Sequence, residues 1–236
     1  MNTVYKISLL LTFLWCNVIQ SQNLNFKNPE LEAIILKKHP EIDLNKDLKI
    51  QKDEAKSVKR LELIKQNLTD VQDLNFFTNL EYLSLTANKI QVLQLNDLKH
   101  LTNLFCARNE LIKLEISNMP ELTEVAFGIN KLKEVKIKNC PNIVTLNMRE
   151  NQIADFDFTP FTKLKQLTMD YNKLERIDIS KNVELTQIVL NNNLLKTLDI
   201  SKNTKLKRNI LYIDKQVEII ANEEQMKVYE AAFKPK

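Results

Sequence analysis

One glycine stands among 236 residues, and that scarcity excludes more than any abundant residue establishes. Phosphate-cradling loops need several glycines, because only a residue without a Cβ lets backbone N–H groups crowd an anion. A nucleotide-binding enzyme of that kind is therefore ruled out. There are two histidines, His39 and His100, and neither stands near a plausible nucleophile, so acid–base catalysis has little to draw on. Lys and Arg number 34 against 30 Asp and Glu, and the two signs are interspersed. The basic stripe that nucleic acid requires is missing. Beyond the short run Ile7 to Trp15 no apolar segment approaches the length of a membrane span. These absences speak against an enzyme, a nucleic-acid binder and a transmembrane protein.

What is present is repetition. Leu80, Leu101, Leu122, Ile143, Leu164, Leu185 and Leu206 recur every 21 residues, and so do Asn88, Asn109, Asn130, Asn151, Asn172 and Asn193. The shared template is L-x-x-L-x-L-x-x-N-x-L-x-x-L-x-L. Within each unit, pairs such as Leu83/Leu85, Leu104/Cys106, Val125/Phe127, Leu146/Met148, Leu167/Met169 and Ile188/Leu190 alternate with mostly polar neighbours. A period of two predicts a short strand with one face inward. A second alternating pair follows (Leu114/Ile116, Val135/Ile137, Phe156/Phe158, Ile177/Ile179, Leu198/Ile200), which predicts an extended segment on the opposite wall. One such coil cannot close a core, but stacked coils bury each other's apolar rows. An Asn at an inside corner must find partners, since an unpaired buried amide costs about 1–3 kcal/mol. Its oxygen and two N–H donors can serve the backbone of its own coil and the next, which makes the column a structural ladder.

This period and spacing resemble the leucine-rich repeat. An earlier unit, residues 58–79, keeps the apolar rows with Val58, Leu61, Leu63, Leu68, Val71 and Leu74, and Gln66 takes the ladder position. The expected fold is a mainly β solenoid, a leucine-rich-repeat array of about seven 21–22-residue coils with short helical caps at both ends. At roughly 4.8 Å per step the slab should be on the order of 30 Å long.

Residues 1–21 read as a secretory signal peptide, with Lys6, a short apolar run and a cut after Ser21. Trp15 before Cys16 argues against a lipoprotein site. Residues 22–57 form an N-terminal cap, in which Asn28 and Pro29 start a helix that Pro40 stops. Asp43, Asn45, Asp47, Lys49, Gln51 and Glu54 then follow the calcium-loop pattern everywhere except at its glycine, where Leu48 stands. Two readings follow: a bound Ca2+ held by Asp43, Asn45, Asp47, the Lys49 carbonyl and Glu54, or a polar loop that keeps only the shape. The arrangement resembles the N-terminal cap of secreted bacterial leucine-rich-repeat proteins. Residues 58–208 are the array, and residues 209–236 a closing cap. There Ile210 to Ile213 and Val217 to Ile220 should be strands, and Asn222 should cap a helix running to Phe233. Cys106 and Cys140 fall on opposite walls, too far apart to bridge.

Asp157, Asp178 and Asp199 stack in one column of the second wall, where Ser180 and Ser201 suit ordinary surface hydrogen bonding. The first wall is the better candidate for function. Its exposed columns contain Tyr82, Asn103, Glu124, Thr145, Gln166 and Gln187; Ser84, Phe105, Ala126, Asn147, Thr168 and Val189; and Thr86, Ala107, Gly128, Arg149, Asp170 and Asn191. Packing does not constrain these residues. Ala107, Ala126 and Gly128 suggest a shallow floor, bordered by Tyr82, Phe105 and Ile129, with Arg108 and Arg149 at its edges and Asp170 beside it. A glycine on a strand suggests that something must approach closely, and aromatic and Arg anchors suit an interface. The resemblance to internalin-like proteins implies a secreted or surface-located, non-catalytic module that binds a protein or glycan through this face. The competing reading is a structural spacer or adhesin segment without a defined ligand.

Overall fold

The computed structural model describes residues 22–206 and 211–227. The expected signal peptide lies outside them, as does the end of the expected C-terminal helix. The chain is a β-solenoid of the leucine-rich-repeat kind. Eight parallel strands, one per coil, form the first wall: Arg60–Glu62, Tyr82–Ser84, Asn103–Phe105, Glu124–Ala126, Thr145–Asn147, Gln166–Thr168, Gln187–Val189 and Leu211–Tyr212. The register steps by one repeat, so Leu83 pairs with Leu104, Leu104 with Val125 and Val125 with Leu146. Alternation turns Leu61, Leu83, Leu104, Val125, Leu146, Leu167 and Ile188 inward, each of them fully buried. At roughly 25 cal/mol per Å2 of apolar surface, such rows dominate the stabilisation.

The corner asparagines bind each coil to the one before it. Asn109 donates from Nδ2 to the carbonyls of Cys106 in its own coil (3.1 Å) and Leu85 in the preceding coil (2.9 Å), and its Oδ1 accepts from Ile90 N–H (3.2 Å). Asn130, Asn151, Asn172 and Asn193 repeat the three-way pattern. Asn88 uses its amide the same way, on Leu63 and Leu85, and accepts from Leu68. Gln66 differs, because its longer side chain turns back onto the carbonyl of Ile64 in its own coil.

The second wall departs from the expectation. Strands Val92–Asn96, Lys113–Ser117 and Glu134–Lys138 pair in one short sheet, and Thr197–Asp199 pairs with Glu218–Ile220. Between them the segments around Phe156/Phe158 and Ile177/Ile179 are not strands. One coil places Phe156, Phe158 and Phe161 where the preceding coil carries Val135, Ile137 and Cys140. Phe156 lies 4.8 Å from Phe158 and stacks on Phe161 at 5.9 Å. Pro160 in that coil offers no N–H to a ladder.

Another ladder continues where that sheet stops. Asn182 and Asn203 are fully buried. Asn182 Nδ2 donates to Phe158 and Phe161, and Asn203 Nδ2 to Ile179 and Asn182. Gln225 finishes the column by donating to Ile200 and Asn203. Gln225 also shares a reciprocal capping box with Asn222, so one side chain both starts the last helix and closes the last coil. Unlike the first ladder, Asn182 Oδ1 and Asn203 Oδ1 meet no protein donor. Replacement by alanine should therefore follow an order. Asn172→Ala should cost about 1–3 kcal/mol, Asn203→Ala less, and the exposed Lys133→Ala close to nothing. Urea midpoints would check this, and equal midpoints for the first and last would contradict it.

Candidate partner-binding face

The first wall projects its second set of side chains away from the core, as three columns fixed by strand register. Its N-terminal half carries an aromatic row. The Arg60 guanidinium lies 3.6 Å over the Tyr82 ring, and Tyr82 and Phe105 meet at 5.4 Å with planes 55° apart. Tyr82, Phe105, Ala107 and Ala126 are all half-buried. Beside them Asn103 Nδ2 donates to Glu124 Oε2 at 2.7 Å. The row is thus a mixed apolar and polar platform.

Gly128 does sit where something approaches closely. It lies just past strand Glu124–Ala126, buried and without positive φ. A Cβ there would come within 2.8 Å of Arg149 Cγ, 3.2 Å of Asn147 Oδ1 and 3.3 Å of the Arg149 carbonyl. The close approach is by the chain's own arginine one coil on. Arg149 in turn bonds Glu150 through Nη2, and its Nε lies 3.8 Å from Asp170 Oδ2.

Arg108 and Ile129 stand at the corner just before a ladder Asn, with Lys65, Ala87, Glu150, Tyr171 and Asn192 at the equivalent positions. All have φ between 51° and 59°. This left-handed conformation costs a residue with a Cβ about 1–2 kcal/mol. A β-branched residue such as Ile129 suffers most. The only glycine is placed elsewhere, so every corner carries this strain.

In the N-terminal cap the calcium-pattern oxygens are turned to backbone N–H groups. Asp43 accepts from Asp47 and Leu48, Asn45 from Asp47, and Asp47 from Lys49. Glu54, 5% exposed, accepts from Leu44 (2.8 Å) and from Gln51 (2.9 Å), where it completes a capping box for the helix Lys52–Ser57. Lys49 pairs with Glu32. Leu48 adopts φ 62°, so a leucine does occupy the glycine position of the turn. Among the described residues no three His, Cys, Asp or Glu side chains gather closely enough to hold a metal. The side-chain oxygens of Asp43, Asn45, Asp47 and Glu54 thus hold the loop's own backbone.

The other reactive groups have structural roles. Burial pushes the Cys106 and Cys140 thiols up, away from the nucleophilic thiolate. His39 Nε2 accepts from Glu62 N–H, which ties the cap to the first strand. Ser180 N–H and hydroxyl hold Asp178 below the usual carboxylate range, and the Ser201 hydroxyl and N–H do the same for Asp199. These carboxylates cap local turns.

No protein-family model matches the chain, and no curated protein matches it. Solved structures do. A chain of the LRIM1/APL1C complex superposes with a TM-score of 0.50 at 17% identity, over 72% of this chain and 45% of that one. Internalin C2 of Listeria monocytogenes gives 0.49 at 18% identity, over 84% of this chain and all of that one. Another internalin of Listeria monocytogenes (inlF) gives 0.34 at 17% identity, over 85% of each chain. At such identities a likeness speaks for the fold alone, here the leucine-rich-repeat solenoid.

Three outcomes follow from this geometry. Gly128→Ala should displace Arg149 and lower stability by about 1–3 kcal/mol, whereas a neutral melt would mean that Arg149 moves freely. Ile129→Asn should raise stability by about 1 kcal/mol, because Asn tolerates the left-handed corner. Added calcium or a chelator should leave the melting temperature unchanged, and a rise with calcium would show the loop re-aiming its oxygens.

Proposed function

We propose that this protein is a secreted, non-catalytic binding module that engages a protein partner through the exposed face of its eight-stranded sheet. The supporting observation is the row Arg60, Tyr82 and Phe105. An exposed cation lies over one ring and a second ring packs against it, both rings half-buried on a surface that the core does not constrain. Stacked aromatics and Arg with part of their area already ordered lose little conformational freedom on binding, which is why such residues act as interface anchors. The parallel ladder supports them on a rigid sheet rather than on loops. Secretion rests on residues 1–21 read as a signal peptide, and the division into cap, array and closing cap follows the repeat boundaries. A glycan is the alternative ligand, since aromatic rings flanked by Asn103 and Glu124 also suit sugars.

The test is capture of cell-surface proteins by the purified chain. Phe105→Ala should weaken binding of the captured partner by about 2 kcal/mol without lowering the melting temperature, while Asp199→Ala on the second wall leaves binding intact. Equal effects would remove the assignment to the first wall. Release of the captured material by glycosidase treatment would favour the glycan.

A further inference from the structure

Four carboxylates among the described residues are buried, and three of them accept backbone N–H groups: Glu32 from Ile50, Glu54 from Leu44 and Gln51, and Asp73 from Asn28. The fourth, Asp170, is 8% exposed and stands on the outward face of the sheet. Its Oδ1 meets no protein donor, and the nearest cation, Arg149 Nε, stays 3.8 Å from Oδ2, beyond hydrogen-bond reach. Arg149 is held back from closing that gap. Its stem lies over Gly128, its backbone N–H is bonded to Asn147 Oδ1, and its Nη2 is bonded to Glu150. Arg149 is thus one cation shared between two carboxylates, bonded to Glu150 and only loosely paired with Asp170, and its own Nε is also without a hydrogen-bond partner. A buried anion without donors is destabilising.

Resting on the reading of this sheet as the partner face, we propose that Asp170 anchors a cationic side chain, an arginine or lysine, of the protein partner. Such a group brings the N–H donors and the positive charge that the carboxylate lacks within the fold. The neighbours of Asp170 on the face are Tyr171, 53% exposed at the adjoining corner, and the half-buried Thr168 and Asn191. An acidic partner would meet an excess of negative charge there, two carboxylates against one arginine. The partner is therefore basic at this point of contact, and Asp170 exchanges stability of the free protein for affinity.

The test uses the full chain and small probes in place of a partner. N-acetyl-arginine methylamide, titrated at low ionic strength, should shift the amide resonances of Asp170, Tyr171 and Asn191 saturably. The neutral citrulline analogue should not. Asp170→Asn should abolish the shifts while raising the melting temperature by about 2–4 °C. The anchor is overturned if citrulline acts equally, if the shifts persist in Asp170→Asn, or if that variant melts lower, which would make Asp170 a structural partner of Arg149. Should the probe fail while Phe105→Ala still disrupts partner capture, the face remains and only the cationic contact is lost.

Discussion

The side-chain amide of asparagine has two donors and an acceptor on a short arm, and the solenoid depends on that geometry. At each corner the chain leaves its strand and exposes backbone groups that the next coil covers. A hydrophobic residue in place of Asn109 would leave the Ile90 N–H without its acceptor and take one of two donors from each of the carbonyls of Leu85 and Cys106, which would keep only Asn88 and Asn130 respectively. Each ladder Asn satisfies a carbonyl behind, a carbonyl in its own turn and an N–H one coil back. Inter-coil spacing is thereby set by hydrogen-bond length as well as by the packing of leucines.

That constraint has a consequence for function. Because inward rows and ladder carry the fold, most residues of the outward columns of the first wall are free of it, Gly128 beneath Arg149 excepted. The corners show the associated cost, with Arg108, Ile129 and Tyr171 held at left-handed φ where a glycine would sit without strain. The same register lets side chains one coil apart touch, as Arg60 does Tyr82 and Arg149 does the space over Gly128. Residues far apart in sequence thus form one surface whose chemistry changes along the array, from aromatic near its start to charged near Asp170.

Much of this was legible in the sequence, because a period of 21 repeated through Leu80 to Leu206 leaves little freedom in register. The first-wall strands and their exposed columns follow from alternation alone. The second wall was read less well. Its inward residues are apolar in every coil, so the pattern continues through Phe156 and Ile177. The strands are interrupted there, beginning at the coil that carries three phenylalanines and Pro160, and a binary pattern registers neither side-chain size nor a missing N–H. The buried Asn182 and Asn203 had a signal in their 21-residue separation. Two members are a faint repeat, however, and Gln225 completes them only after a 22-residue step. Gly128 was noticed as a place of close approach, but nothing local indicates that a side chain 21 residues later lies across it. Asp170 was placed on the face, and its lack of a donor emerges only when the surrounding hydrogen bonds are known.

The central claim, that the corner asparagines bind each coil to its neighbour, is tested most directly by native-state hydrogen exchange. The N–H groups of Ile90, Leu111, Leu132, Ile153 and Leu174 each donate to the Asn of the following coil. They should exchange only through global unfolding, as slowly as the amides of strand residues Leu104 and Leu146. Exchange of these five at the rate of exposed loop amides, with the strands still protected, would show that leucine packing alone holds the stack.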